Sequence, residues 1–263
     1  MKKARKEYII VISIVLFIAC ITIGVEIDYT PSEEDLSHTP CGLMEAAIKR
    51  EERNILSDDG RIIGQTFFEY PIILGGGNKN IIEIINQYFF NEKEAFFEGT
   101  YHVKVFPENR YSLFLASVTY AKELWGTENL AEHPFEYSVS SEITYLDTEI
   151  ISVKEKVYWM AGGVSNIFYF GKTFSLNTGD EIPISCFVGN NEEEFQKKVI
   201  DLMSNSELCY DYTLRQWIDS ERKCEFYYIG NAVELAFPEL SPHGITLVYE
   251  LKGDRGRQMD GSF

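Results

Sequence analysis

From Phe135 onward, apolar residues recur at every second position. Tyr137, Val139, Ile143 and Tyr145 form one set, Ile151, Val153, Val157 and Trp159 a second, and Phe168, Phe170, Phe174 and Leu176 a third. A period of two puts such side chains on one face of a strand. The breaks between the sets are turn-formers: Leu146-Asp147-Thr148, Gly162-Gly163 and Asn177-Thr178-Gly179-Asp180. This predicts an antiparallel meander with one face buried.

Elsewhere the pattern is helical or mixed. Cys41–Arg53 reads as a short helix, Asn54–Gly60 as a turn, and Arg61–Leu74 as one or two strands with Pro71 at an edge or bend. Gly75-Gly76-Gly77 then interrupts the chain. It lacks the Gly-Lys-Ser/Thr of a phosphate-binding loop and reads as a connection. A helix follows, capped by Asn78 or Asn80 and ended by Gly99. Ile81, Ile85 and Tyr88 share its apolar face with Ile82 and Phe89, and Phe96 lies two turns on from Phe89. Tyr111–Trp125 reads as either strand or helix, and its Ala, Lys, Glu and Leu content favours the helix. Asn190–Ser204 is amphipathic through Phe195, Val199, Leu202 and Met203, and Cys209–Cys224 is irregular or helical. Tyr227–Phe237 and Ile245–Leu251 read as final strands. Helices and strands lie in blocks, so the expected class is α+β: an antiparallel β-meander with helices packed on one face.

The N-terminus adds one further element. Lys2, Lys3, Arg5 and Lys6 precede Tyr8–Val25, a run with no charge, no proline and one glycine, and Glu26 and Asp28 follow it. As a helix the run spans roughly 27 Å, close to the hydrocarbon core of a bilayer. The basic flank places the N-terminus in the cytoplasm and the rest outside, as a single-pass membrane protein. A cleaved secretory signal is an alternative, but the run is longer than a usual signal core and no small-residue cleavage pattern ends it. In a third reading Phe17-Ile18-Ala19-Cys20 is a lipobox with Cys20 acylated. Phe17 and the apolar Ile21-Thr22-Ile23 depart from that pattern. The chain thus divides into an anchor (1–25), an acidic stalk and short helix (26–60), a first α+β subdomain (61–134), a second (135–252) and a polar tail (253–263).

Charge narrows the partners. Setting aside Lys2, Lys3, Arg5, Lys6 and Glu7 leaves 20 Lys+Arg against 40 Asp+Glu, a net of −20. That excludes nucleic acid as the expected ligand, since phosphate binding needs clustered basic residues. A cationic partner or a bound divalent ion fits better. Outside the anchor the cysteines are Cys41, Cys186, Cys209 and Cys224. Two disulfides in three connectivities are open, with Cys209 and Cys224, the nearest pair, as first choice. His38, His102, His133 and His243 form no metal-ligand spacing, and no nucleophile elbow is present. No catalytic residue, metal or cofactor is therefore expected.

Several short motifs together resemble the extracytoplasmic region of RsiV-type anti-sigma factors, which is similar to the N-terminal region of PdaC-type peptidoglycan deacetylases. Tyr70-Pro71 ends a strand and leads to a helix carrying Ile85-Asn86. Gly162-Gly163 follows an aromatic strand. Phe174-Ser175-Leu176-Asn177-Thr178-Gly179 continues through Ile182, Ile184 and Phe187. Ser241-Pro242-His243-Gly244 precedes the last strand. The likeness departs where Val164-Ser165-Asn166 stands in place of Ala-His-Gly. It implies a cell-envelope sensing or binding domain of a Gram-positive-type bacterium, and lysozyme as one candidate cationic ligand. Met1–Glu7 is too short to hold a sigma factor, and no deacetylase domain is expected before Phe263. The expected function is a membrane-anchored binding domain without catalysis, its candidate loops carrying Gly162, Gly163, Ser165, Asn166, Pro242 and His243. A cell-wall enzyme or accessory subunit, and a membrane regulatory protein related to anti-sigma factors, are the alternatives.

Overall fold

The computed structural model describes residues 27–29, 44–102, 109–219, 223–240 and 244–251. The apolar run Tyr8–Val25, Cys20, Cys41, Pro242, His243 and the tail lie outside them. Among the described residues no helix is long and apolar enough to cross a membrane.

Six strands form the first sheet in sequence order: β1 (Ile27–Tyr29), β2 (Glu45–Leu56), β3 (Ile62–Gly75), β4 (Phe135–Leu146), β5 (Ile150–Ala161) and β6 (Val164–Ser175). The expected meander is β4–β5–β6. Every neighbouring pair is antiparallel except β3 and β4, which run parallel over Gly64–Phe68 and Phe135–Val139. The sheet is thus mostly antiparallel, and the expected meander within it is antiparallel throughout. Between those two strands the chain makes α1 (Lys79–Glu98) and α2 (Arg110–Glu132), which supply the crossover a parallel pair needs.

Helix α1 starts at Asn78, whose side chain accepts from Asn80 N–H, and stops at Gly99 in the left-handed conformation. Helix α2 is capped by Asn109, breaks at Gly126 and continues to Glu132. Ile85, Phe89 and Phe96 of α1 and Phe114 and Val118 of α2 are buried against the inner sheet face with Phe68, Val139, Val153 and Val157.

Residues 45–53 form a strand, correcting the helix expected there. Their Ala, Lys, Arg and Glu content favours a helix, but β2 makes a full-length ladder with β3. Its charges are matched in place. Arg50 bonds Glu52 at 2.9 Å and lies over the Phe67 ring, and Arg53 bonds Glu51 at 2.9 Å and lies over the Phe97 ring.

Pro71 lies beyond the last β3–β4 pairing, where β3 has lost that neighbour. Asn86 of α1 takes over the exposed backbone. Ile73 N–H donates to Asn86 Oδ1 at 2.8 Å, and Asn86 Nδ2 donates to the Ile73 carbonyl at 2.9 Å. The Tyr70-Pro71 and Ile85-Asn86 motifs are thus two halves of one joint.

The outer face of β4–β6 carries a second layer, which the expectation of one buried face missed. It comprises helices α3 (Ser185–Val188), α4 (Glu192–Ser204) and α5 (Asp211–Asp219) and a sheet of β7 (Glu225–Tyr228), β8 (Ala232–Ala236) and β9 (Thr246–Glu250). The single strand expected over Tyr227–Phe237 is instead the β7–β8 hairpin, turned at Gly230 (φ 92°). Strand β7 lies on the first sheet. Ser152 Oγ accepts from Tyr228 N–H at 2.7 Å, and Thr144, at a bulge in β4, donates to the Tyr228 carbonyl at 2.8 Å. At Gly171 a Cβ would fall 2.0 Å from the Phe226 carbonyl oxygen, so the layers meet backbone to side-chain position.

Candidate functional site

The Gly162-Gly163 pair closes the β5–β6 hairpin. Both residues have positive φ (63° and 81°), as a two-residue turn between antiparallel strands requires. Turn geometry accounts for these glycines. Ser165 is exposed and Asn166 half-buried on β6. Pro242 and His243 lie outside the described residues, but Gly244 beside them packs against Ile167 and Tyr169. That brings the flank of this second loop to β6, one residue from Asn166. The acidic turn at Asp58-Asp59 has a structural role. Asp59 accepts from Arg61 Nε at 2.8 Å and from Ser57 Oγ, and these bonds hold its carboxyl down to about 2.

Cys186, Cys209 and Cys224 are free thiols, so the bridge expected between Cys209 and Cys224 is not made. Cys209 and Cys224 pack against the second apolar core. Burial pushes the Cys224 thiol up to about 12 and raises that of Cys209, which keeps both protonated at neutral pH.

Helix α5 presents an aromatic surface. It turns Thr213 and Trp217 inward, with Trp217 Nε1 donating to the Lys223 carbonyl at 3.0 Å. Leu208, Tyr210 and Tyr212 stand outward, each about 60% exposed, and the two tyrosine rings stack 5.7 Å apart at 8°. Glu207, Asp211 and Asp219 are exposed in the same segment, with Arg215 the basic residue among them. A shallow groove runs between Cys209, Tyr210, Asp211, Tyr212 and Arg215.

A second feature lies inside. A polar seam crosses the interface between α1 and the first sheet and separates two apolar clusters. On one side Lys93, almost fully buried, donates to Glu51 at 2.7 Å. On the other, Glu155 is 1% exposed and accepts from the Tyr101 hydroxyl at 2.9 Å. His102 stacks on the Phe170 ring (3.7 Å, 8°), its Nε2 lying 3.8 Å from Glu155 Oε2. His102 Nε2 and Glu155 Oε1 are buried without a hydrogen-bond partner. Lys172 donates to Glu181 at 3.3 Å and lies 4.0 Å from Glu225. The seam opens on a cavity of about 660 Å³ with Glu92 and His102 in its wall.

Burial raises the Glu92 carboxyl above its ordinary range, and the neighbouring Glu155 charge adds to the rise. Burial acts to lower the Lys172 ammonium, but Glu225, Glu181 and Glu155 outweigh it and the net shift is upward. None of these residues was singled out in the sequence, yet a signal was there. Glu155 and Lys172 occupy the same alternation as the apolar residues on either side of them, Val153 and Val157 in one strand and Phe170 and Phe174 in the next.

No known family profile and no curated protein matches this chain. Among solved structures its fold is similar to that of a DUF3298 family member from Bacteroides fragilis, with 9% identity, a TM-score of 0.52, and coverage of 79% of this chain and 90% of that one. A DUF3298 family protein from Pseudomonas aeruginosa aligns over the same shares with 11% identity and a TM-score of 0.43.

Proposed function

We propose that this chain is a membrane-anchored, extracytoplasmic binding module that takes a cationic protein as partner and carries out no reaction of its own. The observation that carries this reading is the surface at α5, where stacked tyrosines and an exposed leucine stand among carboxylates. Tyrosine faces attract lysine and arginine, and fixed aromatic side chains supply contact area at little entropic cost. The excess of acid over base across the chain speeds encounter with a basic protein. The anchor and its orientation rest on the Lys2–Asp28 pattern. The motif likeness to RsiV-type and PdaC-type regions supports a lysozyme as the first partner to try.

The test is calorimetry of the full chain in detergent against a lysozyme, at low and physiological salt. Saturable binding is expected, weakened about tenfold or more by Tyr210→Ala with Tyr212→Ala, as removal of an aromatic anchor does. If a low-salt pull-down from secreted extract retains no basic protein and lysozyme gives no heat, the reading is wrong.

One observation favours a second reading, a cell-wall enzyme: Glu92 lines a cavity and its carboxyl is raised. Release of soluble fragments from purified cell wall by the wild type, and not by Glu92→Gln, would favour that reading over the first.

A further inference from the structure

Helix α2 is apolar on both faces. Tyr111, Phe114, Val118 and Ala121 turn inward onto the sheet. On the opposite face Leu113, Tyr120 and Leu124 are 39%, 58% and 59% exposed, and Ser117 lies between them. Tyr111–Ala121 carries no charged residue, in a chain whose net charge is −17. A helix apolar all round belongs in an interior, so the outer face calls for a cover. Its hydroxyls are already satisfied. Ser117 Oγ donates to the Leu113 carbonyl at 2.8 Å and Thr119 Oγ1 to the Leu115 carbonyl at 3.0 Å, so neither is stranded when water leaves.

The spacing says what covers it. Steps of four, three and four residues separate Leu113, Ser117, Tyr120 and Leu124, the seam of a coiled coil. The steps read the same in reverse, so a second copy of the helix, antiparallel about a two-fold axis, meets this one in register. Leu113 then lies against Leu124 of the second copy, and Tyr120 over its Ser117, large against small. Glu123 falls beside Ala116 of the second copy, so no like charges meet. An uncharged stripe is also where two copies of so acidic a chain approach without repulsion.

We infer that this face pairs two copies of the chain, α2 against α2. A bilayer surface fits less well, because interfacial helices are bordered by Lys and Arg. Here Lys122 is held by Asp58 at 3.0 Å, and Glu123, Glu128 and Glu132 stand exposed beside the stripe. Residues 110–125 span about 24 Å, and a stripe about 10 Å wide covers roughly 240 Å². Trp125 and Val164, 45% and 59% exposed, extend it at one end. A standard interface buries about 800 Å² on each side, so the pair is a weak one. The membrane anchor proposed above would favour it by confining both copies to one bilayer. The pairing itself depends neither on that anchor nor on the tyrosine surface of α5.

The test is sedimentation of the full chain in density-matched detergent over a range of concentration. A monomer–dimer equilibrium is expected. Leu124→Lys, which enters the seam twice, should weaken it about tenfold or more. Ile84→Lys, on the exposed face of α1, should leave it unchanged. Both positions are exposed, so both variants fold. Register is read by treating mixed Leu113→Cys and Leu124→Cys chains with a short bis-maleimide and mapping the linked peptides. The reagent should join position 113 of one chain to position 124 of the other. It should not join two Leu113→Cys chains, whose thiols stand about 16 Å apart along the axis. A chain monomeric up to about 1 mM overturns the inference and leaves the face to lipid or to another protein. So does a dimer indifferent to Leu124→Lys, a missing 113–124 link, or a 113–113 link in its place.

Discussion

Two carboxylates on the seam respond to pH in opposite directions. Burial works to raise the Glu51 pKa, but its bonds to Lys93 and Arg53 and their charges outweigh it and the net shift is downward. Its stabilisation is present above the unfolded value near 4.5 and lost as pH falls through the lower folded value. Glu92 is raised, so its contribution is present below 4.5 and lost as pH rises through its folded value. Glu92→Gln should therefore raise the melting temperature at pH 8 and leave it unchanged at pH 4, read by calorimetric melts at both. Lys93→Met strands Glu51 in a buried site with Arg53 alone and should lower unfolding free energy by about 3–5 kcal/mol, measured by urea titration. These charged positions were readable in part. Glu155 and Lys172 interrupt apolar alternation at core parity, which marks them as buried. That they meet His102 could not be read, because the strand register and the end of α1 bring them together across long stretches of chain.

Asparagines join the helices to their neighbours. Asn109 Oδ1 accepts from Ser112 N–H at 2.8 Å to cap α2, and its Nδ2 donates to the Glu98 carbonyl at the end of α1. The same side chain fills the space where a Cβ on Gly99 would sit. Asn109→Ala should cost about 1–2 kcal/mol, the usual loss of a helix cap, seen as a lower midpoint in thermal melts. At this scale α1, α4 and the β4–β6 meander were legible, because each carries a sustained apolar period and a cap or turn, whereas α2 was read from its helix-forming composition alone. Strand β2 was not. Its residues favour a helix one by one, and only the long ladder with β3 and the pairing of its charges decide otherwise.

For the molecule as a whole, two layers share the β4–β6 strands, and little in the sequence shows the joint. Ser152 looks like an ordinary polar strand residue, yet it is fully buried between Tyr228 N–H and Thr173. Ser152→Ala leaves that amide without an acceptor and should lose about 1–3 kcal/mol, with faster amide exchange in Phe226–Ala236 than in α1. Gly171→Ala should be worse, since its methyl would collide with the β7 backbone. The parallel rung between β3 and β4 has a kinetic consequence. Every other pairing in the first sheet with a long strand on each side closes a short turn and can form early. The rung must wait until the chain has doubled back through both helices, and a long closure of this kind slows folding. Phe68→Leu in the rung should therefore slow refolding in a chevron.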